Sequence, residues 1–330
     1  MKPKTNKIDA VFEGGGVKGS ALVGAVAFTQ SLGYEFQNVA GTSAGAIMAS
    51  LLAAGFTGLE IKKILDSLDY NLFKDLAMKG RIPVVGPALS LLFEKGIYAG
   101  DFFENWLRNL LKTKGIKTFG DLIIKEYVDD ERFKYKLQVI ASDISRGKLL
   151  VLPEDAKNYG INPDELDVAF AVRMSMSIPY FFKPVTVKAK DNVMSYVVDG
   201  GILSNFPVWL LDDGTDNPPW PTFGYKLVDP NENAPHKVNG PISLFTALFD
   251  TMMEAHDARY IADVDFMRTI PIPTLGVHTT DFNIDQQTKD ALFNSGFEAA
   301  KKFFENWSFE KYKKQFVKNL LSERTDKLWK

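Results

Sequence analysis

The chain contains no cysteine in its 330 residues, so disulfides, thiolate metal sites and cysteine nucleophiles are excluded. Histidine is nearly as scarce: only His236, His256 and His278 could serve as the base that a serine nucleophile ordinarily uses. An excess of positive charge is also missing. The formal net charge is -2 and no Lys/Arg cluster is interleaved with aromatics, which argues against a nucleic-acid partner. The start, MKPKTNKIDA, is basic but has no apolar run behind it, so no secretory signal is expected and the location expected is cytoplasmic. Export by a route without such a signal stays compatible with that start. No linker, repeat or low-complexity tract divides the chain; the softest boundary is DDGTDNPPWP, from Asp212 to Pro221, which reads as a surface loop.

A long membrane-spanning run is absent too. Phe36 to Leu59 carries no charge, but a span needs about 20 mostly apolar residues in one helix. Gln37, Asn38, Gly41, Thr42, Ser43, Gly45 and Gly55 interrupt this one. A strand, a tight turn and a buried helix account for it better.

What is present is the profile of a globular protein with a full core, 45% hydrophobic and 24% charged. Ile8 to Glu13 reads as a strand, Ser20 to Ser31 as a helix and Phe36 to Ala40 as a second strand. This β-loop-α-β order favours parallel strands with a right-handed crossover. Ala44 to Ala54 is a helix stopped by Gly55 in a left-handed cap, and further helices are expected near Leu59 to Leu68 and Asp101 to Leu111. Strands are expected at Tyr135 to Ala141, Lys148 to Leu152 and Ser195 to Val198. In the last helix Phe293, Phe297, Ala300, Phe304 and Trp307 form one apolar stripe, read as core. The mixture predicts a three-layer α/β/α sandwich with a mainly parallel central sheet.

The stretch FEGGGVKGSALVG raises the question of which anion its glycines serve. Gly14, Gly16 and Gly19 fit the dinucleotide pattern G-x-G-x-x-G letter for letter, between a strand and a helix. A dinucleotide site also needs a carboxylate at the end of the second strand, and VAGTSAG offers none. A P-loop needs G-K-[ST], whereas the chain runs Lys18-Gly19-Ser20. A ligand-free glycine turn is the plain alternative.

The second strand instead runs into Gly41-Thr42-Ser43-Ala44-Gly45, a G-x-S-x-G before a helix. A serine on so sharp a turn needs glycine on both sides, where side chains would meet neighbouring backbone. The helix that follows points its N–H groups toward Ser43 and favours negative charge there. Loop and serine follow neighbouring strands, so they are expected to meet at the strands' C-terminal ends, with the loop N–H groups as an oxyanion hole.

The base is harder to read. An α/β-hydrolase order would admit His256 or His278, but those enzymes place several strands before the serine and here one precedes it. Acyl-CoA transferases with a Ser-His pair need a mid-chain histidine, and none occurs before His236. Two carboxylates end expected strands: Asp143 in QVIASDISRGK and Asp199 in SYVVDGGILSNFP. Gly200-Gly201 favours Asp199 by giving its backbone freedom, yet Asp-Gly is also a common turn, and the residues alone leave the choice open.

Taken together, GGGVKG, GTSAG and DGG in this order resemble the patatin-like phospholipases. RMSMSIPYFFKPV (Arg173 to Val185) and ASDISRGKLLVL are similar to the family's stretches between serine and aspartate. The resemblance covers Ile8 to Pro207 well and the rest more loosely. It implies a catalytic domain over residues 8–209, with the strands and helices of 210–330 packed on it. It implies Ser43 as nucleophile, Asp199 as proton acceptor, Gly14, Gly15 and Gly16 as oxyanion donors, and a structural Asp143. Gly19 completes the loop, Gly41 and Gly45 flank the serine, and Gly200 and Gly201 follow the aspartate. Lys18 matches a basic family position, bracing the loop or meeting a phosphate.

The activity implied is hydrolysis of glycerolipid or phospholipid acyl esters through an acyl-enzyme, of phospholipase A or lysophospholipase type. A general esterase or acyltransferase would use the same pair, and a non-catalytic lipid-binding protein the same fold. No metal or organic cofactor is implied, and contact with membranes or micelles follows from the substrate. Asp199, weak as a free acid, is expected in an apolar site with a direct hydrogen bond to Ser43. The apolar stretch Gly80 to Gly100 reads either as a lid or as a buried helix. Lys301 to Lys330 has nine Lys/Arg against four Asp/Glu, read first as a solvated helix face.

Overall fold

The apolar run of the first strand needs cover on both faces, and it receives it inside a sheet. The computed structural model describes residues 6–73, 96–130, 132–212, 218–230, 238–240, 244, 247–248, 251–252, 267–279 and 281–314. Strand β1 (Lys7–Phe12) is buried from Ile8 onward. Ala10 and Phe12 face the main core while Val11 faces a second, smaller cluster with Ala40, Ile140 and Phe206. Strand β2 (Glu35–Thr42) pairs with it in parallel, Phe12 opposite Gly41.

Between them runs helix α1 (Ser20–Ser31), and after β2 come α2 (Ala44–Ala53) and α3 (Gly58–Asp66). Gly55 takes the left-handed conformation expected of it, φ 91°. Thr57 and Glu60 form a capping box that starts α3. Strand β3 (Gly96–Tyr98) precedes α4 (Asp101–Thr113), whose buried Phe103, Leu107 and Leu111 recur at steps of four. Strands β4 (Leu137–Asp143) and β5 (Lys148–Leu152) follow, then α5 (Val168–Ser175), β6 (Tyr180–Phe182), β7 (Val185–Lys188), β8 (Met194–Asp199), β9 (Thr222–Val228), β10 (Thr269–Pro273) and α6 (Gln286–Asn306).

The main sheet has the order β10-β9-β1-β2-β4-β8-β7, with β5 also on β4. The five strands from β10 to β4 are parallel; β8 and β5 run against them, and β7, antiparallel to β8, returns to their direction. This is the mostly parallel, helix-flanked sheet that the sequence predicts. Strands β9 and β10, which the hydropathy pattern does not mark, extend it beyond β1.

Helix α6 packs along α1 at backbone distance. A Cβ on Gly24 would lie 1.8 Å from the Phe293 carbonyl oxygen, and one on Gly296 would lie 1.8 Å from that of Ala21. The stripe of α6 is core, as read: Phe28 meets Phe297 edge-on at 5.0 Å, and Trp307 lies 5.0 Å from Phe223.

Two segments differ from expectation or escape it. Pro218 and Pro221 are buried, and Trp220 lies under the Lys7 ammonium, so the described part of 212–221 is packed rather than a free surface loop. The proposed lid falls outside the described residues except for 96–100, as does the tail beyond 314.

Candidate active site

Parallel pairing of β1 and β2 brings their C-terminal ends side by side, so the glycine loop and Ser43 meet. A Cβ on Gly14 would lie 3.2 Å from that of Ser43. Ser43 itself adopts φ 54°, ψ -121°, a conformation costing a non-glycine residue about 1–3 kcal/mol. The surroundings hold it there. Its N–H donates to Ser175 Oγ at 2.9 Å, and that hydroxyl donates to the Ile140 carbonyl at 2.5 Å. Its carbonyl accepts the first bonds of α2, from Ala46 and Ile47. The flanking glycines are required sterically: a Cβ on Gly41 would lie 2.3 Å from Gly45 backbone, and one on Gly45 2.1 Å from the Phe12 carbonyl oxygen.

Strand β4 sets the spacing to the carboxylate. Thr42 pairs with Ile140 on one side of β4, and Asp199 pairs with Ala141 on the other. Asp199 is fully buried. Its Oδ1 accepts from Gly201 N at 2.8 Å, while Oδ2 has no hydrogen-bond partner among the described residues. Burial pushes its pKa up to about 7, opposed by the Ser43 hydroxyl beside it and by the Gly201 N–H. The expected direct bond is thus approached but not closed: Ser43 is near enough to act on the carboxylate, yet no bond of standard geometry joins them. Hydrogen bonds of such pairs often tighten only with substrate bound.

Asp143 stands apart. It accepts from Tyr159 Oη at 2.7 Å and from the Ser145 and Arg146 N–H groups, a turn-stabilising role. His278 is exposed; His236 and His256 lie outside the described residues.

In the glycine loop, one expected donor is already engaged. Gly14 N donates to Asn205 O at 3.3 Å, so this glycine supplies room rather than a free N–H. A Cβ there would lie 2.4 Å from Asn205 Oδ1. No partner is recorded among the described residues for the N–H groups of Gly15 and Gly16. Gly16 has φ 54°, in the left-handed region that favours glycine. Gly19 sits over Ala44, and the half-buried Lys18 runs its stem past Gly15. Beyond the aspartate, a Cβ on Gly200 would lie 2.4 Å from the Ile140 carbonyl oxygen.

Several supporting residues escape sequence reading. Glu13, buried just before the loop, accepts from Lys226 Nζ at 3.0 Å, Asn205 Nδ2 at 3.3 Å and Leu227 N. Arg173, also buried, donates to the Ala99 and Lys183 carbonyls and to Ser177, whose own carbonyl accepts from Asp199 N at 2.9 Å. Glu13 shows in the sequence only as a charge ending an apolar strand, and Arg173 only as the head of the family-like stretch, with no role attached to either.

From Ser43 an apolar cleft runs along α2 past Ile47 and Leu51, toward Tyr70, with Phe182 and Phe282 among its other walls. Among the described residues no group of three acidic or histidine side chains could hold a metal ion, and no helix is long and apolar enough to cross a membrane.

Comparison with known proteins agrees with this architecture. The family model "Patatin-like phospholipase" matches residues 10–212. The Bacillus subtilis protein named "Uncharacterized protein YqhO" is 42% identical over 303 residues, covering 92% of this chain and 99% of that protein. The "Probable lipid hydrolase 463L" of Invertebrate iridescent virus 6 is 27% identical over 212 residues, 63% of this chain and 64% of its own. Among solved structures, VipD from Legionella pneumophila superimposes with a TM-score of 0.56 at 20% identity, over 91% of this chain and 67% of VipD. The likeness to VipD speaks for the fold. By the match over residues 10–212 the chain belongs to the patatin-like phospholipase family, whose members are lipid acyl hydrolases.

Proposed function

We propose that the chain cleaves acyl esters of glycerolipids, with phospholipids as the substrate class, through a Ser43–Asp199 pair and an acyl-enzyme. The observation that carries this reading is the juxtaposition of a strained serine with a buried carboxylate whose Oδ2 has no other partner. A carboxylate with a pKa of about 7 accepts a proton far better near neutral pH than a solvated aspartate does.

Ser43 Oγ attacks the ester carbon as its proton passes to Asp199. The carbonyl oxygen, now negative, takes hydrogen bonds from the N–H groups of Gly15, Gly16 and the first turn of α2. One such donor is worth about 3–4 kcal/mol in the transition state. The tetrahedral species collapses, the ester C–O bond breaks, and Asp199 returns the proton to the leaving alcohol. Water then attacks the acyl-enzyme, again losing a proton to Asp199, and the fatty acid departs as Ser43 regains its hydrogen. The apolar cleft beside Ser43 accommodates the acyl chain, and peripheral contact with a lipid surface delivers it.

Fatty-acid release from mixed phosphatidylcholine and phosphatidylglycerol vesicles tests the reading. Wild type is expected to release fatty acid and Ser43→Ala to release none above background. Equal release by both proteins would sink the assignment.

A further inference from the structure

The family match ends at residue 212, yet the site does not. After β10 the chain turns at residues 274–279 and returns across the C-terminal edge of the sheet, over the glycine loop. The Thr279 carbonyl accepts from Val17 N at 3.2 Å, inside the turn that follows Gly16. It fills the space that a side chain at 16 would need, since a Cβ there would lie 2.1 Å from that oxygen. The turn is pinned in its own right: Asp281 Oδ2 accepts from His278 N at 2.9 Å, and Asp281 N donates back to His278 O. One residue on, Phe282 is buried, lines the cleft that starts at Ser43, and packs on Phe181 at 5.9 Å. The chain then enters α6, capped by Asp285 and locked to α1 at Gly24 and Gly296. Helix α1 itself begins where the glycine loop ends.

We infer that this post-β10 loop is a working wall of the site. Phe282 is a specificity-determining residue for the acyl chain, and Asp281 is a positioning residue that acts through the Thr279 carbonyl on the glycine loop. The inference rests on the hydrolase reading above. Its two halves have different signatures. The Phe282 ring occupies space along the acyl path, so its size governs which chain lengths bind in the transition state. The Thr279 carbonyl orients the N–H groups that receive the oxyanion, so loosening it lowers turnover for every chain length alike.

The test uses the full chain and p-nitrophenyl esters from butyrate to palmitate, with labelling of Ser43 by a fluorophosphonate as the control for an assembled site. In Phe282→Ala the ratio of kcat/KM for palmitate over butyrate is expected to rise at least tenfold, at about fourfold per methylene newly admitted. In Phe282→Trp it is expected to fall, and both variants still label at Ser43. In Asp281→Ala kcat is expected to drop about tenfold with KM and chain-length profile unchanged. Asp281→Asn, whose Oδ1 still accepts the His278 N–H, restores it. Profiles of both Phe282 variants parallel to wild type, or an unchanged kcat in Asp281→Ala, overturn the inference while the hydrolase reading stands. A wild type that neither labels at Ser43 nor turns over any ester overturns both.

Discussion

At the scale of single residues, the proposed chemistry turns on a carboxylate kept out of water. Asp199 titrates at about 7 in the folded chain, against about 3.9 when unfolded. The folded protein therefore holds a proton that the unfolded chain releases. That contribution to stability is complete below the unfolded value and is lost as pH rises through the folded one. Asp199→Asn never bears the charge, so it should match wild type in stability near pH 4 and exceed it at pH 9, by at most about 4 kcal/mol. Urea midpoints of both proteins at the two pH values check this, and a variant less stable than wild type at pH 9 would contradict it. Activity has the opposite demand. In the proposed mechanism only the ionised Asp199 accepts the serine proton, so kcat/KM should rise about tenfold per pH unit below 7 and level off above it. The same substitution should lower turnover by about 10²–10⁴.

At the scale of elements, the site is made by close approach of backbones. Gly296 and Gly24 let α6 and α1 meet with no room for a methyl group. Gly296→Ala should push the helices apart and cost on the order of 1–3 kcal/mol, read as a lowered thermal midpoint. An unchanged midpoint would mean that the crossing yields freely. These elements also show why part of the molecule is legible in the sequence. From Ile8 to Leu68 each element is written locally: apolar runs for β1 and β2, a glycine stop after α2, a capping box before α3. The G-x-S-x-G turn is equally local, because Gly41 and Gly45 answer to contacts within a few residues and to the neighbouring strand.

What sequence reading misses depends on distant partners. Strand β9 is defined by pairing with β1, and the short β6 and β7 by pairing with β3 and β8. Asp199 arrives on an antiparallel strand, so the rule for parallel sheets that places Ser43 does not place it. Asp143 ends β4 itself, and Asp199 comes in on β8 beyond it, so weighing one against the other needs the assembled sheet. Glu13 looks like an ordinary turn carboxylate until Lys226 is brought to it across the sheet.

At the scale of the whole molecule, the strands beyond residue 212 sit inside the sheet rather than beside it. Phe223, Tyr225, Ile270 and Ile272 are fully buried there, and Tyr225 stacks on Phe12 at 4.7 Å. We propose that residues 8–314 fold as one unit. A chain truncated after 212 should then lack a cooperative thermal transition; a cooperative transition near that of the full chain would show instead that the family-matched part stands alone.

The central claim, that Asp199 activates Ser43, is tested most directly by the rate of fluorophosphonate labelling as a function of pH, read by intact-protein mass spectrometry. The account predicts a single adduct on Ser43, a rate that rises through a midpoint near 7, and loss of that pH-dependent rate in Asp199→Asn. Labelling of Asp199→Asn at the wild-type rate, with the midpoint intact, would contradict it.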